Sequence, residues 1–342
     1  MTDRTQLADQ FLQATDWAQA ERAPLAGDAS RRRYERLNLQ GTGRKAVLMD
    51  APPEDGEDVR PFIRIAEHLY QQGFSAPQIY HRDEERGFLL LEDLGDDLFA
   101  RVVKKSPEVE PELYRAATDC LVTMREAQLP DGLNPYDTPM MTEMAALSYE
   151  WYRNALSGNS DDAELSFRLK ISALLDQHIT GQSVLIQRDY HSENLLWLPG
   201  REGVARVGLL DFQDAMTGHP AYDLVSLLQD ARRDVSADIE TAMIRHYLAQ
   251  TGLKKDAFEA AYHLLGIQRN LRIVGVFARL CLRDGKPHYI DFIPRVWGYI
   301  QRSLSHPLMQ GIGETILTDL PAPSPDNLKK LKDQCASIPT PQ

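Results

Sequence analysis

The chain has 342 residues, which suits two domains or lobes at roughly 100–200 residues each. Its formal net charge of −12 argues against nucleic acid as a partner, because nucleic-acid binders usually carry basic faces. The three cysteines include no CxxC pair, which argues against a disulfide framework or a structural zinc site and suits a reducing cytoplasm.

The N-terminal stretch is polar and lacks the apolar core of a secretory signal. No apolar run approaches the roughly 18 residues that a membrane-spanning helix needs. We therefore expect a cytoplasmic protein with no membrane partner, while the sequence leaves its oligomeric state open.

Up to about residue 93, the pattern predicts a small sheet with accompanying helices. Apolar residues recur at helical spacing in two segments, and short apolar or alternating runs indicate strands. The predicted helices cover residues 5–15 and 57–72, the second stopped by Gly73, and the predicted strands cover 33–39, 45–50 and 87–92.

From about residue 94, helical patterns dominate around one short β-rich insert. The proline-rich tail after residue 320 either wraps the surface or frays. Together with the first part, this order predicts an α+β fold. The helices are predicted over residues 108–127, 140–155, 161–179, 236–250, 255–281 and 291–304, and the insert over 183–212.

The segment VLIQRDYHSENLLWL, residues 184–198, reads as two apolar strands joined by a polar loop with Asp189 and Asn194. A later strand, VGLLDF, ends in Asp211 and Phe212. Phosphoryl transfer explains these residue types, because one carboxylate can accept the proton of a hydroxyl. An amide and a second carboxylate can hold magnesium, which prefers hard oxygen ligands.

Arg188-Asp189-x-x-x-x-Asn194 followed by Asp211-Phe212 resembles the HRD…N and DFG elements of protein kinases. These motifs are followed by GHPAYDL, and the local sequence is similar to that of the aminoglycoside phosphotransferase and choline kinase superfamily. The resemblance implies a bilobal protein-kinase-like fold, with a small β-rich N-lobe and a larger, mainly helical C-lobe. It implies ATP and Mg²⁺ as cofactors, with Asp189 as catalytic base and Asn194 and Asp211 as metal ligands.

The same resemblance implies that Asp223 is a structural brace under the catalytic loop, a role compatible with an acidic residue near a helix N-terminus. It also implies a nucleotide-binding N-lobe over residues 1–93 and a catalytic and acceptor-binding C-lobe over 94–342. The hinge between them would be residues 90–95, where adenine would bond to backbone near Glu92 and Leu94.

Residues 25–34, LAGDASRRRY, form a glycine-containing turn between strand candidates. The turn either closes over phosphates with its backbone N–H groups or is a plain hairpin. The arginines in it either meet phosphate or form a solvated patch. The candidate nucleotide-binding residues of this turn are Gly27, Asp28, Ser30 and Arg33.

One residue departs from the family pattern. The third strand of such kinases carries a lysine or arginine that contacts phosphate, and here Met49 stands at that position. Either Lys45 or an arginine of the run 31–33 substitutes, or the alignment is shifted. Glu67, the usual partner of that lysine, is then either functional or part of a surface ion pair.

Longer segments resemble the bacterial anomeric kinases of N-acetylmuramate and N-acetylglucosamine, which serve peptidoglycan recycling. This resemblance implies ATP-dependent phosphorylation of the C1 hydroxyl of an amino sugar. It spans roughly residues 25–300 and rests on LAGDASRRRY, VLMDAPPED, GFLLLEDLG, QRDYHSENLLWL, LLDFQDAMTGHPAYDLVSLLQDARRDV and VFARLCLRDGKPHYI.

Three cations near residue 280, Arg279, Arg283 and Lys286, either meet the lactyl carboxylate of a muramic sugar or mark a helix C-terminus. Trp151 and Tyr152 either stack on a sugar face or belong to the core. Two other functions stay open: a phosphotransferase for aminoglycosides, choline or homoserine, and a non-catalytic pseudokinase acting as a binding module.

Overall fold

The computed structural model describes residues 4–25 and 31–339. The helices of this part of the chain are α1 (Arg4–Gln13), α2 (Arg60–Gln71), α3 (Phe99–Lys105), α4 (Glu110–Glu126), α5 (Thr138–Leu147), α6 (Asn154–Ser157), α7 (Asp161–His178), α8 (Ala221–Leu228), α9 (Ala237–Thr251), α10 (Lys255–Leu282), α11 (Ile293–Leu304), α12 (Gln310–Asp319) and α13 (Pro325–Asp333). A π-helix, Ser148–Arg153, joins α5 to α6.

The strands of the same part of the chain are short. They are β1 (Glu21–Leu25), β2 (Arg33–Asn38), β3 (Lys45–Asp50), β4 (Ile79–Asp83), β5 (Phe88–Glu92), β6 (Val184–Ile186), β7 (Leu195–Trp197), β8 (Val207–Leu209) and β9 (Met216–Gly218). Both the sheet-first order and the helical remainder agree with the predicted α+β class.

The chain divides into two compact units, each with its own packing. The first unit holds the described residues of 1–123, 127–132 and 192–215, and the second those of 124–126, 133–191 and 216–342. These units are a division by packing. The functional division into a nucleotide-binding lobe over 1–93 and a catalytic lobe over 94–342 stays a prediction.

The first unit is built on a five-stranded antiparallel sheet in the order β1-β2-β3-β5-β4. Helix α1 covers one face, where Phe11 stacks on Phe88 with ring centroids 5.6 Å apart. Leu37 and Leu48 complete this core because alternate side chains of a strand point to the same face. The other face of β3 carries Met49, which is also buried.

The second unit is organised around α10, whose 28 residues are mostly buried. It packs against α5, α8, α11 and the π-helix. The contact with α5 is close at Gly275, where an added Cβ atom would lie 2.3 Å from the carbonyl carbon of Leu147. Only glycine allows two helix backbones to approach this closely.

The tail after residue 320 wraps the second unit, the first of the two alternatives. Ser324 caps α13 by accepting a hydrogen bond from the N–H of Asn327, and Leu331 is fully buried. Lys330 donates to the carbonyl oxygen of Leu156 at 2.6 Å, which ties the tail to α6. Among the described residues, no helix is both long enough and apolar enough to cross a membrane.

Candidate active site

The backbone that leads into Asp189 is held by the carboxylate of Asp223. Strand β6 ends at Ile186, and the next two N–H groups, of Gln187 and Arg188, donate to the Asp223 oxygens at 2.6 and 2.9 Å. Asp223 is 2% exposed, and burial raises its pKa to about 7 although the two N–H groups oppose the shift. This geometry suits a brace, the role that the family resemblance implies.

Three arginines of the second unit act on the charge of Asp189. Burial alone would raise the pKa of the Asp189 carboxyl, but the positive charges of Arg272, Arg269 and Arg188, together with His191, hold it below its ordinary value. Asp189 is therefore ionised at neutral pH. Such a carboxylate can orient a hydroxyl group and accept its proton as the transfer proceeds.

Arg272 is the strongest of these charges, and sequence reasoning missed it. Burial would lower its pKa, yet the acidic groups of Tyr222 and Asp189 beside it raise the pKa above the ordinary range for arginine. The guanidinium is therefore permanently charged. Its one signal in the sequence is a charged side chain within the long apolar pattern of α10, at helical spacing from Arg269.

The first unit carries Asn194 and Asp211 at neighbouring ends of a two-stranded sheet. Asn194 precedes β7 and Asp211 follows β8, whose pairing sets Leu195 opposite Leu209. The Asn194 amide nitrogen lies 3.3 Å from the Asp211 carboxylate, and Gln213 donates to the other Asp211 oxygen at 2.7 Å. The two predicted metal ligands are thus brought together by the antiparallel register.

The side-chain oxygens of Asn194 and Asp211 are of the type that binds magnesium. A carboxylate and an amide oxygen are hard donors, and magnesium with a nucleotide commonly takes only one or two protein ligands besides phosphate and water. Within residues 4–25 and 31–339, no group of three or more His, Cys, Asp or Glu side chains forms a metal cage. Asn194 and Asp211 would supply two protein ligands to such a metal.

Left-handed backbone marks both halves of the motif. Arg188 has a φ of 72° and Asp211 a φ of 57°, and Ala336 is the third non-glycine residue in this region among those described. Such conformations are unfavourable for residues with a Cβ atom and are retained where a function requires them. The hydrogen bonds to Asp223 hold Arg188 in this state.

A largely buried ion pair lies on the same unit as Asp211. Arg32 Nε is 2.8 Å from Glu57 Oε2, with side chains 10% and 16% exposed. Burial raises the pKa of the neighbouring Tyr34 hydroxyl. The charge of Arg32 opposes this rise in pKa, and the charge of Asp211 reinforces it. Arg32, Tyr34 and Asp211 are therefore neighbours, and Tyr34 is the register partner of Met49.

The other cations considered as replacements at Met49 differ from Arg32. Arg31 is 69% exposed, and Lys45 is exposed at the opposite end of β3. Arg33 is the register partner of Asp50 and lines a polar cavity of about 40 Å³ beside α1, on the sheet face opposite Met49. Glu67 makes a surface pair with Arg82 at 3.0 Å. Arg32 is thus the least exposed cation of this set.

The remaining nucleotide-side candidates fall in two groups. Gly27, Asp28 and Ser30 lie outside the described residues. In the hinge segment, the Glu92 carboxylate is bound by Arg201 at 2.6 Å, and the Leu94 side chain would lie 3.4 Å from a Cβ atom added at Gly208. The side chain of Glu92 is therefore engaged within the protein, and its role toward adenine stays a prediction for the backbone.

The acceptor candidates all belong to the second unit. Arg279 lies on α10, and Arg283, at its end, is paired with Asp284 at 2.6 Å. Trp151 is half-buried in the π-helix, whereas Tyr152 donates to the Pro321 carbonyl at 2.7 Å and belongs to the core. Asp189 lies in this second unit and the predicted metal ligands in the first, so their convergence on one pocket stays a prediction.

Comparison with known proteins places this geometry in a family. Residues 21–260, more than half of the chain, match the model of the phosphotransferase enzyme family, APH. The N-acetylmuramate/N-acetylglucosamine kinase of Caulobacter vibrioides is 39% identical over 337 residues, covering 87% of this chain and 92% of its own. The protein of the same name from Pseudomonas aeruginosa is 35% identical, with 88% and 89% covered.

A solved structure supports the fold. The ethanolamine kinase of Plasmodium vivax superposes with a TM-score of 0.59 at 15% identity, covering 90% of this chain and 87% of that one. These findings confirm the predicted kinase-like fold, the resemblance to the amino-sugar kinases and the predicted enzyme class. The chain belongs to the phosphotransferase enzyme family and is a kinase that transfers phosphate from ATP to an alcohol group.

Proposed function

We propose that this kinase phosphorylates the anomeric hydroxyl of N-acetylmuramate and N-acetylglucosamine, in the cytoplasm, as a step of cell-wall recycling. The observation that carries the acceptor is the 39% identity to a kinase named for these two sugars over 87% of the chain. The structural neighbours share only about a sixth of their residues with this chain, so they support the fold and not the acceptor.

In the proposed mechanism, Asp189 accepts the proton of the sugar hydroxyl. Its lowered pKa makes it a weak base, which suits a transfer whose transition state is loose and in which the proton moves late. Asp223 keeps the preceding backbone in place through Gln187 and Arg188. Asn194 and Asp211 would hold magnesium, which when bound neutralises charge on the phosphates.

The nucleotide roles remain part of the proposal. Gly27, Asp28 and Ser30 would approach the phosphates through backbone N–H groups. Backbone near Glu92 and Leu94 would bond adenine. For Arg33, the location beside α1 supports a structural role in the sheet better than a phosphate contact.

The charges around Asp189 also help to choose among the acceptor classes: amino sugars, aminoglycosides and choline. Aminoglycosides and choline are cations, and Arg188, Arg269 and Arg272 would repel a cationic acceptor that reached Asp189. A neutral or anionic sugar meets no such repulsion. This arrangement favours the amino sugars over the aminoglycoside and choline alternatives.

A panel of acceptors tests the proposal. Purified enzyme with Mg-ATP would be given N-acetylmuramate, N-acetylglucosamine, an aminoglycoside, choline and homoserine, and products would be read by phosphorus NMR. We expect sugar 1-phosphates from the two sugars alone. Phosphate at another position, or faster turnover of a cationic acceptor, would refute the assignment.

The variant Asp189→Asn tests the mechanism. It removes the proton acceptor while keeping the shape and the bonds of Asp223 to the backbone. We expect turnover to fall by at least about 100-fold, the scale of a lost general base, with ATP affinity unchanged within a few fold. Full activity in this variant would exclude Asp189 as the base and show that another group accepts the proton.

A further inference from the structure

Helix α10 carries an arginine stripe: Arg269, Arg272, Arg279 and Arg283. At about 100° per residue, these four positions fall within about 80° of the helix circumference, on one side of α10. The stripe begins beside Asp189, whose charge interacts with both Arg269 and Arg272. With a rise of about 1.5 Å per residue, Arg279 lies about 10 Å beyond Arg272 along the helix axis.

The four arginines differ in how their charges are balanced inside the protein. Arg283 is neutralised by a two-point contact with Asp284, at 2.6 and 3.0 Å. Arg272 faces Asp189 and two tyrosine hydroxyl groups. Among the described residues, no carboxylate forms an ion pair with Arg279 within 4 Å, and its buried Nε, like that of Arg269, has no hydrogen-bond partner; unlike Arg269, Arg279 does not act on Asp189.

Two arginines and two carboxylates act on the charge of Arg279. Burial, with Arg283 and Arg272, lowers its pKa, whereas Asp284 and the exposed Glu150 of the π-helix oppose the shift. A half-buried guanidinium with an unpartnered Nε and no carboxylate in direct contact is stabilised when an anion binds it. An acceptor group that carries a carboxylate supplies that anion.

We propose that Arg279, one end of the stripe that starts at Asp189, binds a carboxylate substituent of the acceptor and makes the enzyme prefer acidic over neutral sugars. This inference rests on the proposed function, because it concerns the same acceptor site. With the reacting hydroxyl at Asp189, the acceptor extends along the stripe toward Arg279. Arg272, which acts on Asp189, adds a further positive charge to this side of the helix.

The two sugars of the proposed function provide the test, because N-acetylmuramate has a lactyl carboxylate and N-acetylglucosamine has none. For Arg279→Gln we expect kcat/KM with N-acetylmuramate to fall about 10- to 100-fold, mainly through KM, as for a lost charged hydrogen bond. The loss with N-acetylglucosamine should be much smaller. Arg279→Lys should restore part of the discrimination.

Lys255→Gln is the matched control, since it removes one positive charge from the exposed start of the same helix and should change neither sugar's kinetics. Melting temperature and ATP binding of Arg279→Gln would show that it folds. Equal losses with both sugars would assign Arg279 to the phosphate or to packing and overturn the inference, as would no loss at all. If the unmodified enzyme phosphorylates neither sugar, the proposed function itself fails and the inference with it.

Discussion

At the scale of single residues, Asp189 shows how charge outweighs burial. An isolated buried carboxyl is driven toward its neutral form, yet the arginines beside Asp189 keep it ionised. Burial and a neighbouring charge also act in opposite directions on Arg32. Its bond to Glu57 offsets the effect of burial on its pKa, so Arg32 stays charged. Charges held in low-dielectric surroundings act more strongly on a bound anion than exposed ones do.

We therefore expect Arg32 to contact nucleotide phosphate. Met49 stands at the position where such kinases carry the lysine or arginine that makes this contact. Arg32 is the least exposed of the candidate cations and lies near Tyr34 and Asp211, and loss of a charged hydrogen bond costs about 1.5–3 kcal/mol. We expect Arg32→Gln to raise KM for ATP at least about ten-fold, measured in coupled assays at saturating sugar.

The adjacent Arg31 provides the control for this experiment. It is 69% exposed, so Arg31→Gln should change KM for ATP by less than about two-fold. A similar effect of the two substitutions would point to a general electrostatic contribution of the loop. An effect of Arg31 alone would exclude Arg32 as the phosphate-binding cation.

Asp211 supports a separate prediction on the metal. Because it is the carboxylate of the Asn194–Asp211 pair, Asp211→Ala should abolish the magnesium dependence of nucleotide binding. Calorimetry of ATP binding with and without magnesium measures this directly. Unchanged Mg-ATP affinity would contradict the role proposed for the pair.

At the scale of elements, the close approach of α5 and α10 depends on Gly275. A Cβ atom there would lie 2.3 Å from the Leu147 backbone, so Gly275→Ala must push the helices apart and disturb the start of the π-helix. We expect a loss of about 1–3 kcal/mol or more in the free energy of unfolding, measured by urea denaturation.

Gly298 offers the comparison, since it also lies within a helix, α11, but an added Cβ atom there has no neighbour within 4 Å. Gly298→Ala should stabilise the protein by about 0.5–1 kcal/mol, because alanine restricts the unfolded chain more than glycine does. If both alanine variants were equally stable, packing at Gly275 would not be the cause.

The elements with strong periodicity were predictable from sequence, and those defined by tertiary contacts were not. The pattern predicted β2, β3 and β5 and most long helices, since their apolar residues recur at regular spacing. It missed β1 and β4, which are largely exposed edge strands with polar residues. Helix α13 was hidden by prolines and becomes visible only through the burial of Leu331.

The candidate site was predictable in its motif residues and not in its surroundings. Asp189, Asn194 and Asp211 stand at fixed spacing in polar loops between apolar strands, which a local reading detects. Arg272 and Arg32 gain their environment from residues far away in the chain, such as Tyr222 and Glu57. No local pattern encodes such partnerships.

At the scale of the whole molecule, buried histidines make stability depend on pH. Burial lowers the pKa of His219 and of His263 to about 4, so between pH 4 and 6.5 the unfolded chain binds more protons and stability rises with pH. Asp223, with a raised pKa of about 7, acts in the opposite direction over much of this window. Burial lowers the pKa of His191 as well, so the histidines outnumber Asp223 and stability rises with pH on balance.

We therefore expect the melting temperature to fall as the pH is lowered from 6.5 to 4. In His263→Gln, this decline should be shallower, since one of the histidine contributions is removed. Thermal melts at half-unit pH steps would measure both slopes. A melting temperature that is constant or rises toward pH 4 would show that carboxylate protonation outweighs the histidines.

The ties between the tail and the middle of the second unit have a consequence for biosynthesis. Tyr152, Leu156 and Ala155 bond to residues that follow them by 169 to 179 positions. At about 5–20 residues per second, the ribosome adds these partners roughly 9 to 36 s later. The segment that carries Trp151 therefore completes its packing only after these tail residues have left the ribosome.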